Sequence, residues 1–216
     1  MRSRFADSFN HDADAPDYDR DVAVETHPIR AGYAALLEWV ARTAQVAARH
    51  EVLELGAGTG NLTTLLRAAR HIVAVDVSRE MLALAERKVG GAVTWVHDDL
   101  LGFFDTSTAR FDRVVSTYAI HHLVADEKRT LFQRIRDCLA PRGRAVFGDL
   151  MFESDSAMQA ALRRYRDTGS IDVADAIRDE FFWLLDDCVP ALTVLGFAVT
   201  TERFSDLSWG VCASLP

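Results

Sequence analysis

Two hydrophobic periods alternate along the chain. Short continuous apolar runs fit buried strands, and apolar residues three and four positions apart fit helices with one buried face. From Ile29 to Ala48, Tyr33, Leu36, Leu37, Val40 and Ala44 recur at helical spacing. Glu51–Leu55 then reads as a strand, Asn61–Ala69 as a helix with Leu62, Leu65 and Leu66 on one face, and His71–Asp76 as a second strand. Ser78 caps a helix that runs through about Val89. Ala92–His97 and Phe111–Ser116 are the third and fourth strands, and Asp126–Leu139 is a helix capped by Asp126 and stopped by Pro141-Arg142-Gly143. Arg144–Asp149 is the fifth strand, and 151–186 holds two helices. A further helix, Cys188–Leu195, ends at Gly196. Phe197–Phe204 and Ser208–Ala213 close the chain as strands joined by a hairpin-length turn.

Apolar strands alternating with helices predict an α/β fold: a mostly parallel, doubly wound sheet covered on both faces, with an antiparallel strand contributed by the terminal hairpin. The 216 residues, 49% of them hydrophobic, suit a single domain over 1–216. Residues 1–28 are polar and rich in Asp, and read as an irregular or partly helical arm, mobile unless something docks on it. Residues 151–186 read as a helical lid.

The formal net charge of −8 argues against a nucleic-acid partner, since an acidic surface repels phosphate backbones. Three well-separated cysteines, Cys138, Cys188 and Cys212, form neither a disulfide framework nor a zinc pattern. There is no apolar run of membrane-spanning length and no signal-peptide pattern, so a cytoplasmic location away from membranes is expected. The seven histidines show no H-x-x-x-H spacing, so no metal is expected. The oligomeric state stays open.

The chemistry centres on Glu54-Leu55-Gly56-Ala57-Gly58-Thr59-Gly60-Asn61, between a strand and a predicted helix. Glycines there let backbone approach a ligand, and a helix N-terminus offers free N–H groups. Asp76 ends the next strand, where a carboxylate suits the hydroxyls of a ribose. The spacing is G-x-G-x-G, with Asn61 where a dinucleotide fingerprint has its third glycine, and no Lys follows Gly60 as in a phosphate P-loop. There is no G-x-S-x-G elbow either.

This segment resembles the first motif of class I, Rossmann-like S-adenosylmethionine-dependent methyltransferases. Val73-Ala74-Val75-Asp76-Val77-Ser78-Arg79-Glu80-Met81-Leu82 is similar to their second, Asp98-Asp99-Leu100 to the acidic loop after strand three, and Phe111–Ser116 to strand four. Gly60-Asn61-Leu62-Thr63 and Ser116-Thr117-Tyr118-Ala119-Ile120-His121-His122-Leu123 are similar to the YrrT-like small-molecule methyltransferases of bacteria, a resemblance spanning about Phe9 to Cys212.

The resemblance implies seven strands in the order 3-2-1-4-5-7-6 with strand seven antiparallel, and S-adenosylmethionine as cofactor. Gly56, Ala57, Gly58, Gly60 and Asn61 would hold its methionine part. Asp76 would take the ribose, with Val77 and Met81 nearby. Asp99 would accept from the adenine amino group beside Leu100. Ser116 and Thr117 would contact the methionine end by backbone. Tyr18 belongs to a Tyr18-Asp19 pair of a kind this family carries in its N-terminal arm, and would close over the cofactor.

His121, His122 and Tyr118 are the candidate catalytic side chains, because they follow strand four where the methyl group points. An imidazole there can take a proton from the nucleophile, although alignment alone can suffice for methyl transfer. The expected acceptor is an O, N or S atom of a small molecule. Three other readings stay open. A non-catalytic S-adenosylmethionine binder would bind cofactor without turnover. A nucleic-acid methyltransferase would show a basic surface and, for amino methylation, an Asn/Asp-Pro-Pro-Tyr/Phe motif where this chain has Ser116-Thr117-Tyr118-Ala119. An NAD oxidoreductase is disfavoured by Asn61.

Overall fold

The computed structural model describes residues 1–216. Eight strands form one sheet system: β1 (Glu51–Leu55), β2 (His71–Asp76), β3 (Val93–His97), β4 (Phe111–Thr117), β5 (Leu139–Phe152), β6 (Trp183–Leu184), β7 (Ala198–Arg203) and β8 (Ser208–Ser214). The order is β3-β2-β1-β4-β5-β8-β7, with β6 pairing the end of β5. The seven longer strands therefore follow the expected order. The eighth is a two-residue strand joined in parallel through Met151↔Trp183 and Phe152↔Leu184. β8 is the antiparallel strand, with Val146 opposite Cys212 and Gly148 opposite Gly210.

Period-two alternation sends residues of each central strand to opposite faces. Leu53 and Leu55 join a core with Phe132, Phe147 and Trp183, under α5 (Ala125–Cys138) and α8 (Leu185–Val194). Val52 joins a second core with Leu36, Val40, Tyr165 and Val173, under α2 (Tyr33–Ala44), α6 (Asp155–Asp167) and α7 (Ile171–Asp179). The facing Gly148 and Gly210 make room for α2. A Cβ on Gly148 would lie 2.8 Å from Leu36 Cγ, and one on Gly210 would lie 2.4 Å from Trp39 Cζ3.

Several local expectations change. Asn61–Ala69 holds only a 3₁₀ turn at Thr63–Leu65. Thr64 Oγ1 donates to the Asn61 carbonyl at 2.7 Å, a side-chain bond of the kind that competes with helix formation. The helix after β4 starts at Ala125, with the Glu127 carboxylate accepting the Val124 N–H at 3.1 Å, while Asp126 pairs with Arg4 of the arm. β5 runs from Leu139 to Phe152, beyond both expected ends. Two short helices add to the pattern, α1 (Tyr18–Val22) and α4 (Phe103–Thr106). The helix after β2 appears as expected: α3 (Arg79–Lys88) is capped by Ser78, whose hydroxyl accepts the Met81 N–H at 3.1 Å.

The arm is docked. Ser3 N–H donates to Asp99 Oδ1 at 3.2 Å and Arg4 N–H to Glu127 Oε1 at 2.8 Å. Further along, Asp12 Oδ1 accepts from the Ser78 hydroxyl at 2.5 Å. These anchors lay residues 1–17 across the C-terminal ends of β1–β4.

Candidate active site

From β1 the chain winds to β2 and β3 on one side and then crosses from β3 back to β4 on the other, so the crevice beyond the C-terminal ends of β1 and β4 is the switch point where open α/β sheets bind ligands. A cavity of about 860 Å³, mouth included, opens there. Its walls come from the loops after β1, β2, β3 and β4, and its roof from Ser3, Phe5, Ala6, Phe9 and His11 of the arm.

Most of the residues singled out in the sequence meet in this cavity: Tyr18, Gly56, Ala57, Gly58, Asn61, Asp76, Val77, Met81, Asp99, Leu100, Thr117, Tyr118 and His122. Gly60, Ser116 and His121 do not line it. Gly60 packs against α3, where a Cβ would meet Val89 and Ala85. Ser116 turns its hydroxyl back to the Leu55 carbonyl at 2.7 Å and ties β4 to β1.

The glycine loop is shaped by Asp76. One carboxylate oxygen accepts the Gly58 N–H at 2.7 Å and the other the Ser78 N–H at 2.8 Å. Burial raises the Asp76 carboxyl pKa, and the backbone donors from Ser78 and Gly58 oppose the shift. Gly58 has φ +53, which glycine adopts at no Cβ cost, and a Cβ there would meet only open space. Beneath the loop, burial pushes the Glu54 carboxyl up to about 8, with Thr63 opposing and the Asp76 charge adding to the shift.

Asp19 fastens the arm to this loop. Its carboxylate accepts from Thr59 Oγ1 at 2.5 Å, Asn61 Nδ2 at 3.0 Å and Lys88 Nζ at 2.5 Å. Tyr18 enters the cavity beside it, with Arg30 5.7 Å above the ring. The same guanidinium lies 6.0 Å from the Tyr118 ring. Arg163, Arg164 and Arg166 stay outside the cavity; Arg164 pairs with Asp206 at 2.6 Å.

After β4 the chain turns at Tyr118, which holds a left-handed φ of +50. Such a conformation costs a non-glycine residue energy and persists only where its surroundings fix it. Here the Tyr118 N–H donates to the Gly148 carbonyl at 2.9 Å, and the phenol lies 3.2 Å from Ser208 Oγ. The two histidines then part. His122 faces the cavity, stacked on Phe9 at 4.0 Å, and burial holds its pKa well below the usual range, helped by neighbouring cationic groups. His121 points into the protein, with Nδ1 2.5 Å from Asp149 Oδ1.

The cavity fits S-adenosylmethionine in two respects. The open space over Gly58 admits a ligand, and Asp99 Oδ2 is a buried acceptor in the cavity wall with no hydrogen-bond partner, the Arg2 guanidinium standing 4.0 Å away. An exocyclic amino group would satisfy that oxygen. Sequence reasoning missed Phe5, Phe9, His11 and Tyr33 as lining residues; no period or motif marks the arm residues, because their placement depends on docking.

The fold and crevice define an α/β methyltransferase. A family profile described as "Methyltransferase domain" matches residues 52–143. The chain is 34% identical to the uncharacterized methyltransferase YrrT of Bacillus subtilis, over 82% of each chain. It is 32% identical to an uncharacterized methyltransferase of Oceanobacillus iheyensis, over 92% of each. Among solved structures it is similar to a DhpI–SAM–HEP complex, with TM-score 0.68 and 23% identity over 94% of this chain and 93% of that one. It also resembles the N-methyltransferase NodS from Bradyrhizobium japonicum in complex with S-adenosylhomocysteine, with TM-score 0.62 and 17% identity over 94% and 98%. The chain belongs to the YrrT-like methyltransferase family, and S-adenosylmethionine is the cofactor its motifs and cavity fit. No helix is long and apolar enough to cross a membrane.

Proposed function

We propose that this enzyme methylates an O, N or S atom of a small molecule held beneath its own N-terminal arm. The observation that carries this reading is the roof: Phe5, Phe9 and His11 close the cavity over the loops after β1–β4. A macromolecular acceptor would have to displace that roof, whereas a small one fits under it. The net charge of −8 also disfavours nucleic acid.

S-adenosylmethionine supplies a methyl group activated on a sulfonium. In this reading the Gly56–Gly58 loop carries its methionine part, Asp76 accepts from the ribose hydroxyls, and Asp99 Oδ2 accepts from the adenine amino group between Leu100 and Met81. Thr117, Tyr118 and His122 wall the acceptor side. The apolar roof excludes water and holds the nucleophile in line, which can supply most of the rate enhancement. His122, held neutral by its burial, can accept a hydrogen bond from the acceptor. His121 acts on the loop from behind.

The test is calorimetric titration with S-adenosylmethionine, its demethylated product and NAD, followed by an acceptor screen. Binding of the first two and turnover of a small acceptor are expected. NAD binding alone would overturn the cofactor assignment. Tight cofactor binding with turnover of nothing would make the chain a non-catalytic binder.

A further inference from the structure

Behind the cavity wall, two adjacent histidines meet a carboxylate from far along the chain. One nitrogen each of His121 and His122 and a carboxylate oxygen of Glu180 lie within 4.8 Å of one another. We infer that His121, His122 and Glu180 form a binding site for a divalent transition-metal ion at the edge of the methyl-transfer cavity. Two imidazoles and one carboxylate are a donor set that suits zinc, manganese, iron or cobalt and leaves coordination positions open.

Three observations support the site beyond proximity. First, Asp149 serves His121 as an outer partner. With the proton on Nδ1, His121 donates to Asp149 Oδ1 at 2.5 Å, which turns the Nε2 lone pair toward Glu180, 3.4 Å from Oε2. Ligand histidines are commonly oriented by a carboxylate in this way. Second, Nδ1 of His122 is fully buried and has no hydrogen-bond partner. A buried imidazole nitrogen without a partner is costly in a folded protein, and an ion held by that nitrogen would satisfy it. Third, the pieces are held in place by backbone. Asp149 Oδ2 accepts the Ile120 and His121 N–H groups at 2.9 and 3.0 Å. The Phe181 N–H, next to Glu180, donates to the His121 carbonyl at 3.0 Å, and Lys128 Nζ donates to the Phe181 carbonyl at 2.6 Å.

His122 also lines the cavity, so a bound ion would lie beside the acceptor and could lower the pKa of its hydroxyl, thiol or amine. That consequence rests on the proposed acceptor site; the binding itself does not.

The experiment is calorimetric titration of chelator-treated full-length protein with zinc and with manganese, alongside cobalt absorption spectra. One ion per chain is expected, with a cobalt band characteristic of low-coordinate nitrogen and oxygen ligation. Glu180→Gln and His122→Ala should weaken binding by more than the roughly 10–100-fold typical of losing an outer partner. Exposed Asp187→Asn should bind as the parent does. Circular dichroism confirms that each variant is folded; Glu180→Gln keeps the shape of a partly exposed side chain, so its result stands if His122→Ala unfolds. Absence of saturable binding, or equal binding by parent and Glu180→Gln, would overturn the site and leave His121 as a bridge between two carboxylates.

Discussion

Phe9 stacks on His122 with ring centroids 4.0 Å apart and ring planes 20° from parallel. The pair joins the N-terminal arm to the loop after β4, and Phe181 completes the contact 6.4 Å from Phe9. None of residues 151–186 lines the cavity; they also meet the loop after β4 from behind, where the Phe181 N–H donates to the His121 carbonyl at 3.0 Å and Glu180 lies 3.4 Å from His121 Nε2.

Phe9→Ala should loosen the roof. An aromatic pair of this kind contributes about 0.5–1.5 kcal/mol beyond area burial, so arm opening should increase roughly 2- to 10-fold. Hydrogen exchange of residues 1–17 should quicken while that of β1 and β4 stays unchanged. Uniform exchange in parent and variant would mean that the arm is held without this stack.

Asp76→Ala is predicted to weaken S-adenosylmethionine binding. In the proposed cofactor site it would remove charge-assisted hydrogen bonds to the ribose, each about 1.5–3 kcal/mol. It also frees the Gly58 N–H that shapes the loop. Calorimetry measures the loss directly, and undiminished affinity would remove Asp76 from the cofactor site.

Glu54 gives a pH signature. Its carboxyl has a pKa of about 8 in the fold, against an ordinary value of 4.5. Between those values the folded state holds a proton that the unfolded chain has released, so this group makes stability fall as pH rises from about 4.5 to 8. Glu54→Gln should gain stability relative to the parent across that window, read as a widening difference in Tm. Parallel Tm curves would show that Glu54 is ionised in the fold.

Phe132, Phe147 and Trp183 pack together beneath α5, with Phe132 and Trp183 centroids 5.5 Å apart. Phe132→Ala should cost roughly 3–5 kcal/mol in urea unfolding, the range for truncating a buried aromatic. A loss below about 1 kcal/mol would mean that the neighbouring rings collapse into the space.

The strands and most of the cavity floor were legible in the sequence because local spacing encodes them. A strand buried on both faces must be apolar along its length, as Ile72–Val75 is. A loop that brings backbone to a ligand must carry glycine where φ turns positive, as at Gly58. Asp76 and Asp99 follow from their positions at strand ends. The Asn61–Ala69 segment misled because its leucines fit a helical face while Thr64 bonds the Asn61 carbonyl instead.

Tertiary structure decided the rest. Nothing near Phe9 in the chain indicates that it meets His122, 113 positions away, or that His122 faces the cavity while His121 turns to Asp149. Two adjacent histidines look alike along the sequence, and the left-handed turn at Tyr118 fixes the course of the chain into them. Periodicity reports which face of an element is buried. Which distant side chain covers that face depends on contacts between residues remote in the chain, and those form only when the arm, the β4 loop and the Glu180 segment have packed together.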